Sequence, residues 1–451
     1  MEIRGIWALV FFLITGVFSL AQLAETPRPN ILFITFDTTR EDELSPYVEN
    51  GKLQTPHIQK LANEGVLFEN VYAQAPQTLP NHASIFTGLY TITHNVLSNG
   101  QKLDERALTL AEILKRYNYK TGAIVSAAPL MKVFNLDQGF DHYDDDFSAP
   151  DLLHGIKGFL RFFSANKINV QSERKAHETA QLAVRWINRA SKQKKPFFLW
   201  VHFFDPHKPY DYRPNFERPE LIEDPVDLVN RSATQVAYIN EIQFADHNMG
   251  KILAALGTLG IAERTLTVFT TDHGESLGEH GYLGHRQHVY ENIIRVPLII
   301  RWPQFLPSAR RIAVPAMSID IVPTLLSLLE IPYLPDSFQG HDLLSDRQKK
   351  PRKLYSLAVK LFTKAPIRKT MIFGDYKFIE FDQHEQNALY NIRTDPLEQI
   401  NLIQDIPLEA RQVQWQEDIQ HWWDNNSDLR LSDFEMTREQ LERLKSLGYV
   451  Q

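Results

Sequence analysis

Three runs of near-continuous apolar residues, each closed by side chains that titrate or bind metals, limit what this chain can fold into. Asn30-Ile31-Leu32-Phe33-Ile34-Thr35-Phe36 ends in Asp37, and the run from Pro196 to Phe204 leads into Asp205-Pro206-His207. The β-branched run Thr265-Leu266-Thr267-Val268-Phe269-Thr270-Thr271 leads into Asp272-His273-Gly274. A strand with no polar alternation is buried on both faces, as in a parallel sheet covered by helices. Helical patterns separate these runs at 55–65, 110–117, 173–190, 234–256 and 319–329, and shorter strand patterns fall at 121–125 and 296–301. The expectation is an α/β fold: a large, mostly parallel sheet with helices on both faces, binding its ligand at the carboxyl edge of the strands.

Thr78-Leu79-Pro80-Asn81-His82-Ala83-Ser84-Ile85-Phe86-Thr87-Gly88 reads as a helix, with Pro80 in its first turn and Gly88 just past its end. Thr78 at that start is either an ordinary cap or a nucleophile facing a sulfate or phosphate held by backbone N–H groups. Asp37 and Asp272-His273 at strand ends favour the second reading, because a threonine hydroxyl attacks at neutral pH only when a cation lowers its pKa. The candidate metal set is therefore Asp37, Thr78, Asp272 and His273, for one or two divalent ions such as Ca²⁺, Mn²⁺ or Zn²⁺. His207 is a candidate leaving-group acid or ligand, and His285, in the glycine-punctuated loop 275–285, a base or leaving-group contact. Arg40 would orient Asp37 or the anion, and His82 projects from the Thr78 helix. Asp205 is open between a second metal and a turn-fixing role, whereas His280 and His288 read as solvated loop residues.

The 451 residues, 43% of them hydrophobic, can build a sizeable core, and the net charge of −7 with scattered basic residues excludes a nucleic-acid scaffold as partner. With no cysteine, thiolate ligands and disulfides are excluded. The apolar run 6–21 after Arg4 is a signal peptide or N-terminal anchor, assigned to residues 1–24, which implies an exported chain, periplasmic, secreted or held at the membrane by that segment. Residues 28–350 would form the catalytic domain. Residues 351–451 would form a small C-terminal α+β subdomain, with a hairpin around Gly374-Asp375 and a terminal helix at 437–447. Residues 144–170 read as an insertion near the site, where Ile156, Phe159, Leu160 and Phe163 line a pocket or pack as a plain helix.

These separated motifs together resemble the sulfatase family of the alkaline phosphatase superfamily, from Pro29 onward. Asn30 to Arg40 looks like the family's first strand and metal-binding Asp; Thr78 to Gly88 like its nucleophile signature; Asp205 to Tyr210 like its ester-contacting segment. Asp272-His273-Gly274-Glu275 with Gly278-Glu279-His280-Gly281 looks like its second metal-binding turn, and Leu389-Tyr390-Asn391 with Asp395-Pro396-Leu397-Glu398 is similar to its C-terminal signature. The resemblance implies an alkaline phosphatase-like fold and a metal-dependent hydrolase of phosphate or sulfate esters on small molecules, glycans or lipid headgroups. Family sulfatases carry Cys or Ser where this chain has Thr78, Arg where it has His82, and a second Asp where it has Thr38. A Lys and His expected near the second strand are replaced by Ala127 and Pro129. These departures resemble the threonine-using phosphodiesterases and phosphoglycerol or phosphoethanolamine transferases, so phosphodiesters are the favoured substrates. A sulfatase working without formylglycine and an inactive anion-binding relative are the rivals.

Overall fold

The computed structural model describes residues 28–48, 55–147, 173–210, 232–345, 351–359, 367–381, 386–404 and 409–427. The N-terminal apolar run, the 156–163 segment and the expected 437–447 helix lie outside them.

The strands run in chain order β1 (Asn30–Phe36), β2 (Val66–Tyr72), β3 (Lys120–Ile124), β4 (His142–Asp144), β5 (Phe197–Phe203), β6 (Thr265–Thr271), β7 (Ser276–Leu277), β8 (Leu283–Gly284), β9 (Arg295–Arg301), β10 (Arg310–Ile312), β11 (Ala316–Met317), β12 (Leu354–Ala358), β13 (Arg368–Phe373), β14 (Tyr376–Phe381) and β15 (Ala388–Asn391). A nine-stranded sheet has the order β10-β2-β9-β6-β1-β5-β3-β4, with β11 also on β2. β1 is parallel to both neighbours, pairing Phe36 with Phe203 on β5 and with Thr271 on β6. This register brings the three strand ends carrying Asp37, Asp205 and Asp272 to one edge. The sheet is mixed, since β9 is antiparallel to β6 and to β2. The sequence reading missed β2, whose Val66-Leu67-Phe68 and Val71-Tyr72 are divided by the polar Glu69 and Asn70 and whose ladder to β9 shifts register there.

Burial explains the unbroken apolar runs. Ile31 and Phe33 of β1 pack into one core with helices Thr78–Thr87, Leu110–Arg116 and Ile321–Leu328. Leu32, Ile34 and Phe36 point the other way, into a second core with helices Pro56–Asn63, Ala176–Ala190 and Ala233–Thr258. Successive side chains alternate between faces, so a strand covered on both sides keeps few polar positions.

A separate antiparallel sheet, β12-β13-β14-β15, contains the expected hairpin, with Phe373 opposite Tyr376. Its buried Lys377 donates to Glu291, 3.0 Å away, and lies 2.9 Å from Glu398, which ties this sheet to the segment preceding β9. Helix Glu409–Ser427 follows it.

Candidate active site

Helix Thr78–Thr87 begins at Thr78, and its C-cap Gly88 is left-handed with φ 68°. Two side-chain amides seat it. Asn99 Oδ1 accepts from the Leu79 N–H at 2.9 Å, while Asn81 donates to the main-chain carbonyl of Asp272 and accepts from the Gln74 N–H at 2.9 Å. The expectation of free first-turn N–H groups is corrected beyond Thr78: Leu79 is engaged, Pro80 has no N–H, and Asn81 bonds back to Gln77. What faces Thr78 is a carboxylate, its Oγ1 donating to Asp37 Oδ2 at 3.4 Å.

The turn after β1 is held in an uncommon shape. Thr38 has φ 46°, which a β-branched residue adopts only under constraint. The Tyr238 hydroxyl, from helix Ala233–Thr258, supplies it by donating to the Thr38 carbonyl at 2.6 Å and accepting from the Arg40 N–H at 2.9 Å. The strained turn aims the Thr38 N–H at Asp272 Oδ1, 3.1 Å away, and the His273 N–H reaches the same oxygen at 2.8 Å. Asp272 Oδ1 is thus satisfied by two backbone donors, while Asp272 Oδ2, Asp37 Oδ1 and His273 Nε2 are buried with no hydrogen-bond partner among the described residues. His273 Nδ1 meets the Gly274 carbonyl at 3.0 Å, which turns Nε2 toward the carboxylates, 3.4 Å from Asp272 Oδ2. Ligand atoms of Asp37, Asp272 and His273 all lie within 4.8 Å of one another. Two buried carboxylates with facing unpaired atoms are costly without a cation. Burial pushes the Asp37 carboxyl up to about 7, and burial together with Asp37 raises that of Asp272. The donor set, two carboxylates and an imidazole, fits a divalent ion.

His82 is drawn into structure. Its Nδ1 lies 2.7 Å from the Thr78 carbonyl and its Nε2 3.2 Å from Thr35 Oγ1, which also accepts from Trp200. Burial holds its pKa down to about 3, so it is a neutral brace beneath the helix start. Arg40 does not orient Asp37: its guanidinium pairs with Asp42 at 2.6 Å and Glu279 at 2.5 Å. Asp205 Oδ1 accepts from the Ala176 N–H at 3.0 Å and so caps the helix Ala176–Ala190, a third role beside the two expected. His285 lies beside His273, and His207 beside His285. The His285 ring lies 4.4 Å from that of His273 and 5.2 Å from that of His207. His285 Nδ1 sits 3.1 Å from Glu275 Oε1, and the other Glu275 oxygen accepts from Tyr210 at 3.2 Å. Burial pushes both imidazoles well below their usual pKa. His280 is not merely solvated, since it stacks on Tyr290 with ring centres 3.8 Å apart, and His288 stacks on the same tyrosine.

Sequence reasoning passed over His202, Glu275 and Tyr238. His202 was legible as the one polar residue in Phe197–Phe203, and Glu275 as the acid following the Asp-His-Gly turn. Nothing in the sequence marks Tyr238.

Fold and site together give an alkaline phosphatase-like α/β architecture, with candidate metal ligands at the carboxyl edge of a mixed sheet and a hydroxyl facing them. Residues 29–331 match the sulfatase family model, and residues 278–424 match the C-terminal model of N-sulphoglucosamine sulphohydrolase. The chain belongs to the sulfatase family. It is 26% identical over 429 residues to the uncharacterized sulfatase YidJ of Escherichia coli, covering 84% of each chain. Among solved structures it resembles BT4656 in complex with its substrate D-glucosamine-2-N,6-O-disulfate, at TM-score 0.69 and 20% identity, over 89% of this chain and 98% of that one. It also resembles the phosphonate monoester hydrolase of Agrobacterium radiobacter, at TM-score 0.68 and 22% identity, over 91% and 99%.

Proposed function

We propose that this sulfatase-family hydrolase is an exported, metal-dependent phosphodiesterase with Thr78 as nucleophile. The observation that carries the reading is the hydrogen bond from Thr78 Oγ1 to Asp37 Oδ2 beside buried, unpartnered ligand atoms of Asp37, Asp272 and His273. Asp37, Asp272 and His273 would hold a divalent cation, which would supply Lewis acidity to an oxygen nucleophile and to phosphoryl oxygens on which charge grows. Asp37 orients the threonine hydroxyl and is the nearest acceptor for its proton as Oγ1 bonds to phosphorus and the ester P–O bond breaks. His207 protonates the leaving oxygen; although burial keeps it neutral at rest, an incoming phosphodiester anion beside it favours its charged form. A water then attacks phosphorus, the P–Oγ1 bond breaks, and Thr78 Oγ1 takes back the proton held by Asp37. In neutral His285, an Nδ1–H directed to Glu275 leaves Nε2 with the lone pair that accepts that water's proton.

Phosphorus is preferred to sulfur because formylglycine is made from Cys or Ser, and the extra methyl on Thr78 Cβ blocks the aldehyde. Glycan or lipid-headgroup diesters suit the class as well as small molecules. The test is a parallel assay of aryl phosphodiester, aryl phosphonate monoester and aryl sulfate with Mn²⁺, Zn²⁺ or Ca²⁺. The expected result is fastest turnover of the diester, unchanged by coexpression of a formylglycine-generating enzyme. Saturable sulfatase activity as the dominant rate, lost in Thr78→Ala, would establish the rival reading of a sulfatase that works without formylglycine.

A further inference from the structure

His202 sits where an apolar side chain would serve the fold better. It follows Phe198 and Trp200 on the face of β5 that packs into the first core, and its ring lies 5.1 Å from that of His82 and 6.3 Å from that of Trp200. Neither ring nitrogen has a hydrogen-bond partner among the described residues. An imidazole stripped of water with both nitrogens unused costs about 1–3 kcal/mol per group, and the fold gains nothing visible in return. What His202 does face is the carboxylate pair. Its Nε2 is 3.3 Å from Asp37 Oδ2, in a contact that lacks hydrogen-bond geometry, and His202, His82 and Asp272 offer ligand atoms that all lie within 4.8 Å of one another.

We propose that His202 is a further protein ligand, beside Thr78, of the cation held by Asp37, Asp272 and His273. This rests on the metal-dependent reading of the site. A buried imidazole and a carboxylate that approach without hydrogen-bond geometry fit a shared cation, and imidazole nitrogen is a fitting donor for Mn²⁺ or Zn²⁺. The neighbouring His82 is not equivalent, because its nitrogens are committed to the Thr78 carbonyl and Thr35 Oγ1. His202 also supplies a donor on the side of Asp37, where Thr38 offers no carboxylate. A divalent ion needs several donors, and three side chains with the Thr78 oxygen leave its shell incomplete.

The full chain is loaded with Mn²⁺, its stoichiometry measured by elemental analysis, its affinity by calorimetry, and its directly bound nitrogens counted by pulsed electron paramagnetic resonance. Two imidazole nitrogens are expected in the wild type and in His82→Gln. One is expected in His202→Gln, with Mn²⁺ binding weakened tenfold or more. His202→Asn is read the same way if the glutamine variant does not fold. A single nitrogen in the wild type overturns the assignment without any variant, and so does a count of two in the His202 variants, which would leave His202 as a positioning residue for Asp37. A wild type that binds no Mn²⁺ sinks the metal-dependent reading itself, whereas Mn²⁺ bound through one nitrogen sinks this inference alone.

Discussion

Replacing Thr78 by alanine separates a nucleophile from a helix start, because the two roles differ widely in free energy. The structure bounds the stability cost. The hydroxyl makes one long hydrogen bond, 3.4 Å to Asp37, at the low end of the roughly 0.5–1.5 kcal/mol typical of such bonds. The buried methyl adds about 0.8 kcal/mol, and the better helix propensity of alanine returns roughly 0.5. The net loss is about 1 kcal/mol, or roughly one degree in melting temperature for a chain of 451 residues. Loss of the attacking oxygen should instead lower kcat/KM at least ~1,000-fold, which corresponds to about 4 kcal/mol in the barrier. Thr78→Ser keeps the oxygen and should stay within about tenfold of the wild type. Steady-state kinetics on an aryl phosphodiester, thermal melts and metal analysis of the three proteins provide the comparison. Mass spectrometry of the peptide containing Thr78 should show it unmodified, or carrying phosphate after trapping. An alanine variant with normal metal content and more than a tenth of the wild-type rate would refute the argument and give the attack to a water molecule.

Gly274 should tolerate no side chain, because a Cβ there would collide with the Asn292 carbonyl oxygen while the 274 and 275 N–H groups bond to Ile293 and Asn292. Gly274→Ala should therefore move His273 and lose metal affinity by at least tenfold in calorimetry; unchanged affinity would show that this turn does not set the ligand. His94 offers a pH test away from the ligating residues, since it is buried and its Nδ1 accepts from the Val96 N–H at 3.1 Å while its Nε2 lies 2.9 Å from Ser84 Oγ. Burial holds its pKa down to about 3, so below pH 6.5 the unfolded chain takes the proton first and folding weakens as pH falls. The stability advantage of the wild type over His94→Gln should shrink by roughly 1.5–2 kcal/mol between pH 6.5 and 5 in denaturant titrations, and a constant gap would contradict a neutral His94.

The strand ends were legible because burial on both faces of β1, β5 and β6 leaves an unmistakable apolar run, and a polar residue closing it stands out. Hence Asp37, Asp272 and His273 could be named and placed on one edge, as could Thr78 from its Pro80 and Gly88 punctuation. The antiparallel insertion of β9 was not legible, because a buried strand reads alike in either direction. Side-chain direction was also beyond the sequence. Arg40 follows Asp37 by three residues yet turns to Asp42 and Glu279, since the left-handed Thr38 redirects the chain. Tyr238 and His202 reach the site from a helix and a strand about 200 and 165 residues from β1, so only the packing of those elements against β1 brings them there. Composition and spacing thus determined which kinds of atoms this chain can gather at a sheet edge. The tertiary structure decided which are satisfied by backbone donors and which remain turned toward one another, because that depends on contacts between segments far apart in the chain.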